Sequence, residues 1–379
     1  MDINAQKLHK ESIVVDAHQE IWNDYVHEKL MGKKKCFEKV YAPRLKKGGV
    51  NILNLVIGGD HTAQPIDSAS DFHFWDTNKF IDLLYCDQED GDESFIICKN
   101  ARDIDKAVET GKFGLILSIA GARVIEGRKK NVFLFSELRN LYRLGLRSVQ
   151  LTGNGRNKLA DGVGQACTKA GLTRFGIATI EEMERLGMIL DLAQLSEYGF
   201  ESALKYATKP FIDSHSCAYA ISNHPRNISD ERIKEMGKRG CVIGVSFWAA
   251  LVNNNSQAPT MDDLLKQIDY IVSLAGIDSV ALGPDYSGFM WPKNLKGFMN
   301  LGPEDCEFDS LRPTHREKYP GYIQGVYYGD RESDYIKGAD TTDKFYMVTE
   351  ALLKHGYSET DIKKILGGNM MRIYREVLR

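Results

Sequence analysis

Long apolar runs are missing from this sequence. No window approaches the roughly 18 apolar residues that a membrane span requires, and the stretch from Met1 to His18 holds no apolar segment of the kind a secretory leader carries. Neither a membrane nor a cleaved leader is therefore expected. A dominant sign of charge is missing too. The net charge of −3 leaves no broad basic surface, and without one neither nucleic acid nor an anionic lipid surface is an expected partner. Cysteine pairs are likewise absent. The seven cysteines, at 36, 86, 98, 167, 217, 241 and 306, are odd in number and scattered, with no CxxC. That excludes a disulfide framework and a structural zinc site, and reduced thiols in a cytoplasm are the expectation. No glycine-rich loop follows the first apolar run, so nothing cradles a nucleotide phosphate. There is no internal repeat and no low-complexity tract.

What remains is a regular alternation of short apolar runs and amphipathic stretches. The runs predict strands at Ser12–Asp16, Val50–Ile57, Phe113–Ile119, Ser148–Thr152, Met188–Leu192, Pro210–Ser214, Cys241–Ser246 and Ser279–Leu282. They are continuous in Val, Ile and Leu rather than alternating, as in parallel strands buried on both faces. Between them, helical spacing appears at Ser136–Leu144, Thr179–Leu186, Asp230–Lys238 and Met261–Leu274, and Gly145 and Gly187 punctuate two of the ends. Eight strands with intervening helices predict an α/β fold, a (β/α)8 TIM barrel formed by residues 1–379 as one domain. An open doubly wound sheet is the alternative. One long insertion, 286–337, follows the eighth strand. Its aromatic content (Phe289, Trp291, Tyr319, Tyr322, Tyr327, Tyr328) marks it as a lid over a binding site rather than a disordered tract. The acidic run Asp87–Glu93, with His73, reads as a solvated surface loop.

Active sites of such barrels lie at the C-terminal ends of the strands. The first strand ends in Asp16-Ala17-His18-Gln19-Glu20. Residues i and i+2 share a face, so His18 and Glu20 can grip one cation. The sixth ends in Asp213-Ser214-His215, where the histidine is either a ligand or a hydrogen-bonded core residue. The eighth ends in Gly283-Pro284-Asp285, and an aspartate there can bind metal and handle a proton. His61 could line the mouth after the second strand, although an ordinary loop position is the simpler reading.

Several longer segments then come into play: Leu151-Thr-Gly-Asn-Gly-Arg-Asn157, Gly171-Leu-Thr-Arg-Phe-Gly176, Glu182 through Ala193, Ser214-His-Ser216, His224-Pro-Arg-Asn227, and Gly356 through Gly-Gly-Asn369. Through them the sequence resembles the membrane-dipeptidase family, the renal-dipeptidase-like branch of the amidohydrolases, over nearly its whole length. The resemblance implies a (β/α)8 barrel, usually homodimeric, in which two zinc ions hydrolyse dipeptides and related amides. It makes His18, Glu20 (where the family has Asp) and His215 metal ligands. Asp285 becomes the proton-handling acid and a ligand. Arg226 becomes the group that holds a substrate carboxylate, with Asn154 and Gln194 as further substrate-side polar residues.

Three departures stand out. Gln194, in Asp191-Leu-Ala-Gln194, replaces a histidine ligand, and its neutral amide oxygen is a poor zinc donor. Gly153 replaces a histidine that steadies the tetrahedral intermediate. The glutamate that bridges the two metals falls either on Ala120, by the strand, or on Glu126, by ungapped counting. Ala120 is the preferred register because Glu126 would need a loop bent back over the mouth. The expectation is one divalent ion per chain, zinc, rather than two. The functional readings are a metal-dependent hydrolase of a small carboxylate-bearing amide, a repurposed enzyme on the same barrel, and a metal-free binding protein.

Overall fold

The computed structural model describes the chain except for residues 1–2, 22–24, 27, 30, 61–71, 128–134, 256–257 and 288–334. Among the described residues ten strands form one sheet: β1 (Val15–Glu20), β2 (Ile52–Gly59), β3 (Phe95–Ile97), β4 (Phe113–Ala120), β5 (Leu146–Gln150), β6 (Ile189–Asp191), β7 (Ile212–Ser216), β8 (Val242–Val245), β9 (Val280–Leu282) and β10 (Tyr286–Ser287). Their order is β10-β1-β2-β4-β5-β6-β7-β8-β9, with β3 attached to β4, and every pairing is parallel. This is the (β/α)8 barrel. Its seam closes where the chain leaves β9, crosses Gly283-Pro284-Asp285, and pairs as β10 with Gln19 and Glu20 of β1.

Helices connect the strands around the outside. Among the described residues they are α1 (Ile3–Glu11), α2 (Ala42–Gly48), α3 (Phe72–Glu89), α4 (Ala101–Thr110), α5 (Ser136–Leu144), α6 (Arg174–Leu186), α7 (Glu197–Ala203), α8 (Asp230–Lys238), α9 (Ala249–Val252), α10 (Met261–Ala275), α11 (Tyr346–His355), α12 (Glu359–Lys363) and α13 (Asn369–Val377). Several of their starts carry side-chain caps that satisfy free N–H groups. Thr173 accepts from Gly176 N, Ser229 from Arg232 N, and Thr260 with Asp263 makes a capping box.

Alternation along each strand divides the core in two. Leu53, Leu55, Leu115, Leu117, Val149 and Ile243 belong to the apolar layer beneath the helices. Val15, Ala17, Ile52, Ile116, Ile189, Ile212, Val242 and Ala281 form a second cluster with Met370, Met371, Ile373 and Tyr374, so α13 closes one end of the barrel. The opposite end, where the strands finish, is left for chemistry.

The sequence reading needs correction at three points. β1 spans Val15–Glu20 rather than the Ser12–Asp16 of the apolar run, and it carries His18 and Glu20 within the strand. Asp87 and Asp92 are buried rather than solvated. Asp87 accepts from Tyr25 Oη (2.5 Å), Lys29 Nζ (2.7 Å) and Phe37 N (3.2 Å), and Asp92 accepts from Glu38 N (2.9 Å). His73 falls in α3, not in a loop. His61 and most of the 286–337 insertion, with all six of its aromatic residues named above, lie outside the described residues.

Candidate metal centre

The strand ends bring His18, His215 and Asp285 together, each offering a ligand atom within 4.8 Å of the others. His18 Nε2 lies 3.7 Å from Asp285 Oδ1 and 3.6 Å from Glu20 Oε1. Two atoms each about 2.1 Å from a tetrahedral zinc ion stand roughly 3.4 Å apart, so these spacings fit a single cation with little adjustment. The two imidazoles are tilted 33° to one another, with centroids 3.8 Å apart. Ser214 sits behind them, its Oγ 2.7 Å from His215 Nδ1 and 3.3 Å from His18 Nδ1. That contact orients both rings with Nε2 toward the mouth, as outer-shell partners of ligating histidines do.

Two ionisable pairs define the electrostatics. Burial pushes the Asp285 carboxyl up to about 7, His18 pulling it back and Glu20 adding to the rise. Burial works against the charged form of His18, but its hydrogen bond to Glu20 and the Asp285 charge outweigh that and raise it. His215 is held well below its ordinary value by burial, then by His18 and Arg226, and is neutral. Asp16, wholly buried, is pushed up to about 8 by burial, against the N–H of His18 that it accepts at 3.0 Å.

Arg226 is buried in the β7 loop, where Nη2 donates to His215 O (3.2 Å) and its backbone N–H to His224 Nδ1 (3.2 Å). Its charge reaches Asp285 and His215. Gln194 Nε2 is 3.2 Å from His215 Nε2, so the residue is at the centre of the site. Asn154 lies on the β5 loop, its carbonyl accepting from Gly164 N at 2.8 Å. Ala120 ends β4 in register with Gly59 and Gln150. Glu126 caps the turn Ala122–Ile125, and its carboxylate accepts from Lys158 N (2.6 Å) with Lys158 Nζ at 3.5 Å. It is not one of the three gathered donors.

Two contributors escaped the sequence reading. Asp60, one residue past β2, accepts from Arg123 N (2.9 Å), Gly153 N (2.9 Å) and Asn157 Nδ2 (3.1 Å), tying the β4 and β5 loops to the mouth. Asp191, at the end of β6, accepts from Ala193 N and Ser214 N, both at 3.0 Å. Their position at strand ends was the available signal, the same one that singled out His18.

A parallel barrel with clustered histidine and carboxylate donors at its mouth defines a metal-dependent hydrolase. Residues 3–301 match the family described as membrane dipeptidase, peptidase family M19, and the chain belongs to that family. It is 30% identical over 208 residues to an uncharacterised protein in the pqqA 5′ region of Klebsiella pneumoniae, covering 52% of this chain and 74% of that one. It is 27% identical over 303 residues to dipeptidase tcpJ of Claviceps purpurea, covering 80% of this chain but only 60% of the fungal protein's length. Among solved structures, an amidohydrolase from Pseudomonas aeruginosa superposes with a TM-score of 0.74 at 25% identity over 99% of both chains. A Rhodobacter sphaeroides metallopeptidase, solved with a phosphinate mimic of L-Ala-D-Ala, shares the fold with a TM-score of 0.74 at 18% identity, over 97% of this chain and 100% of that one.

Proposed function

We propose that this chain hydrolyses a dipeptide or a small amide bearing a carboxylate, using one divalent cation, zinc, per chain. The observation that carries the reading is His18 Nε2 facing the carboxylates of Glu20 at 3.6 Å and Asp285 at 3.7 Å, next to His215 and the buried guanidinium of Arg226. A cation held there supplies Lewis acidity at a carbonyl and lowers the pKa of water. The chain's own residues do the rest. Arg226 presents a planar fork suited to a carboxylate and fixes the substrate's orientation. Asp285, poised by burial, moves a proton toward the leaving amine. Ser214 keeps the imidazoles from rotating. Ala120 and Gln194 support a single ion, since one lacks a ligand atom and the other offers a neutral amide.

The same two residues favour a second reading, a different reaction on an amino-acid-derived compound, because a fold limits chemistry only loosely. Among the described residues, no helix is long and apolar enough to cross a membrane, and Cys36, Cys86, Cys98, Cys167, Cys217 and Cys241 are unpaired. The unpaired thiols support a reducing, cytoplasmic setting, and the family resemblance supports a homodimer.

The deciding experiment incubates the protein, loaded with zinc, manganese or iron, with a dipeptide panel and follows amino-acid release. Release that disappears in His18→Ala supports the hydrolase. No release from the panel, with a cation bound, leaves the second reading.

A further inference from the structure

We infer that the amide of Gln194 stands where a second cation would, reserving His215 as a hydrogen-bond acceptor and leaving His18, Glu20 and Asp285 to hold a single ion. The inference rests on the metal-hydrolase reading above and concerns which residues of that site touch the ion.

The first argument is the use of the His215 ring. Its Nδ1 lies 2.7 Å from Ser214 Oγ and its Nε2 lies 3.2 Å from Gln194 Nε2. The amide nitrogen can only donate, so the Nε2 lone pair is the acceptor and Nδ1–H donates to Ser214. A lone pair engaged by an N–H is not available to a cation. His18 differs, because its Nε2 faces Glu20 and Asp285 at 3.6 and 3.7 Å, both oxygen donors.

The second argument is backbone. Gln194 has φ +63°, a left-handed conformation that is costly for a residue with a Cβ. The fold enforces it. Gln194 O accepts from Val163 N (2.8 Å), and Arg232, buried and paired with Asp213, binds the carbonyls of Leu192 and Leu195 on either side. Strain of this kind persists where the surroundings over-determine a position, and here the side chain meets the imidazole.

The third argument is the lining next to it. Ala120 brings no ligand atom, and its register partner Gln150 brings a neutral amide. Gln150 Nε2 donates to Thr152 O (2.7 Å), and Oε1 is buried without a hydrogen-bond partner among the described residues. Asp191 turns one oxygen onto two backbone N–H groups. Two dications a few ångströms apart need a carboxylate between them to offset their repulsion, and this wall offers amides.

Two measurements test the inference. In protein labelled with 15N-histidine and loaded with 113Cd, scalar coupling is expected to the ring of His18 and not to that of His215, the resonances being assigned with single variants. Metal analysis is expected to give one ion per chain in the wild type and two in Ala120→Glu/Gln194→His. Coupling to His215, two ions in the wild type, or one ion in a double variant with native circular dichroism each overturns the inference. If the double variant does not fold, the wild-type coupling decides. Hydrolysis absent with one ion bound defeats the proposed function and leaves the inference standing, whereas no ion in the wild type defeats both.

Discussion

Asp285 lies in the three-residue link between β9 and β10, with φ +63°, so the chain turns sharply as it crosses the barrel seam. That turn aims the carboxyl at His18, and Tyr335 Oη holds the carbonyl of Asp285 at 2.8 Å. Replacing Asp285 by Asn keeps the shape and removes the proton. The expected result is a fall in turnover of about 10²–10⁴-fold, the usual contribution of a positioned acid or base, with KM changed far less. Steady-state kinetics at saturating cation checks this, and an unchanged turnover would remove Asp285 from the proton path.

His224 gives a different test, because it supports the Arg226 loop without facing the donor cluster. Burial, and then Arg226, pull its pKa down from 6.5 to about 4. The native state therefore holds a neutral ring while the unfolded chain protonates first. Stability is full above pH 6.5 and is lost as pH falls toward 4, by up to about 3 kcal/mol for a shift of this size. Urea midpoints from pH 7 to pH 4 should fall more steeply in the wild type than in His224→Asn. Parallel curves would show that this ring is not the group titrating.

The link between β6 and α7 shows how an element can be fixed from behind. Arg232, on the first turn of α8, donates through Nη1 to Leu195 O (3.0 Å) and through Nη2 to Leu192 O and to Asp213 Oδ2 (2.7 Å), with its guanidinium 4.4 Å from the Phe200 ring centre. One cation thus joins β7, α8 and the loop that carries Gln194. Removing it with Arg232→Met strands the buried Asp213 charge, and a loss of about 3–5 kcal/mol is expected. The double change Asp213→Asn/Arg232→Met should lose much less, since neither charge is then orphaned. Equal losses in the two variants, measured by urea unfolding, would mean that packing rather than charge sets the cost.

Elements of this kind were only partly legible in the sequence. All eight barrel strands appear near their expected places, because strands buried on both faces must be continuously apolar. Helices Ser136–Leu144 and Asp230–Lys238 match in full. β3, with three residues, and β10, with two, are too short to leave a pattern. The acidic run misled for a physical reason: Tyr25, Lys29 and the α3–β3 turn compensate carboxylates that composition alone places in solvent. At the site, His18, His215 and Asp285 were visible as residue types at strand ends, whereas Arg226 and Gln194 entered only through the family resemblance. The roles of Asp60, Ser214 and Arg232 depend on which N–H or carbonyl each one meets, and that is tertiary information.

The closure of the whole barrel rests on its ends as well as its strands. The Gly367-Gly368-Asn369 segment, read from the sequence as a family mark, gains a physical reason here. A Cβ on Gly367 would run into the carbonyl oxygen of Ile13, just ahead of β1, so only glycine lets α13 approach the barrel floor. Asn369 then donates through Nδ2 to Ile277 O (2.8 Å) and Val280 O (2.7 Å), fastening the same helix to β9. The two residues thus tie α13 to both sides of the seam at which Asp285 sits. Gly367→Ala must displace backbone and is expected to cost about 1–3 kcal/mol, as overpacking usually does. Asn369→Ala leaves carbonyls short of a donor at a similar cost of about 1–3 kcal/mol. Because both act through one helix, their effects should fall short of additive in a double-mutant cycle. If instead the losses add within about 0.5 kcal/mol, α13 does not dock as a unit, and the two ends of the seam are stabilised independently.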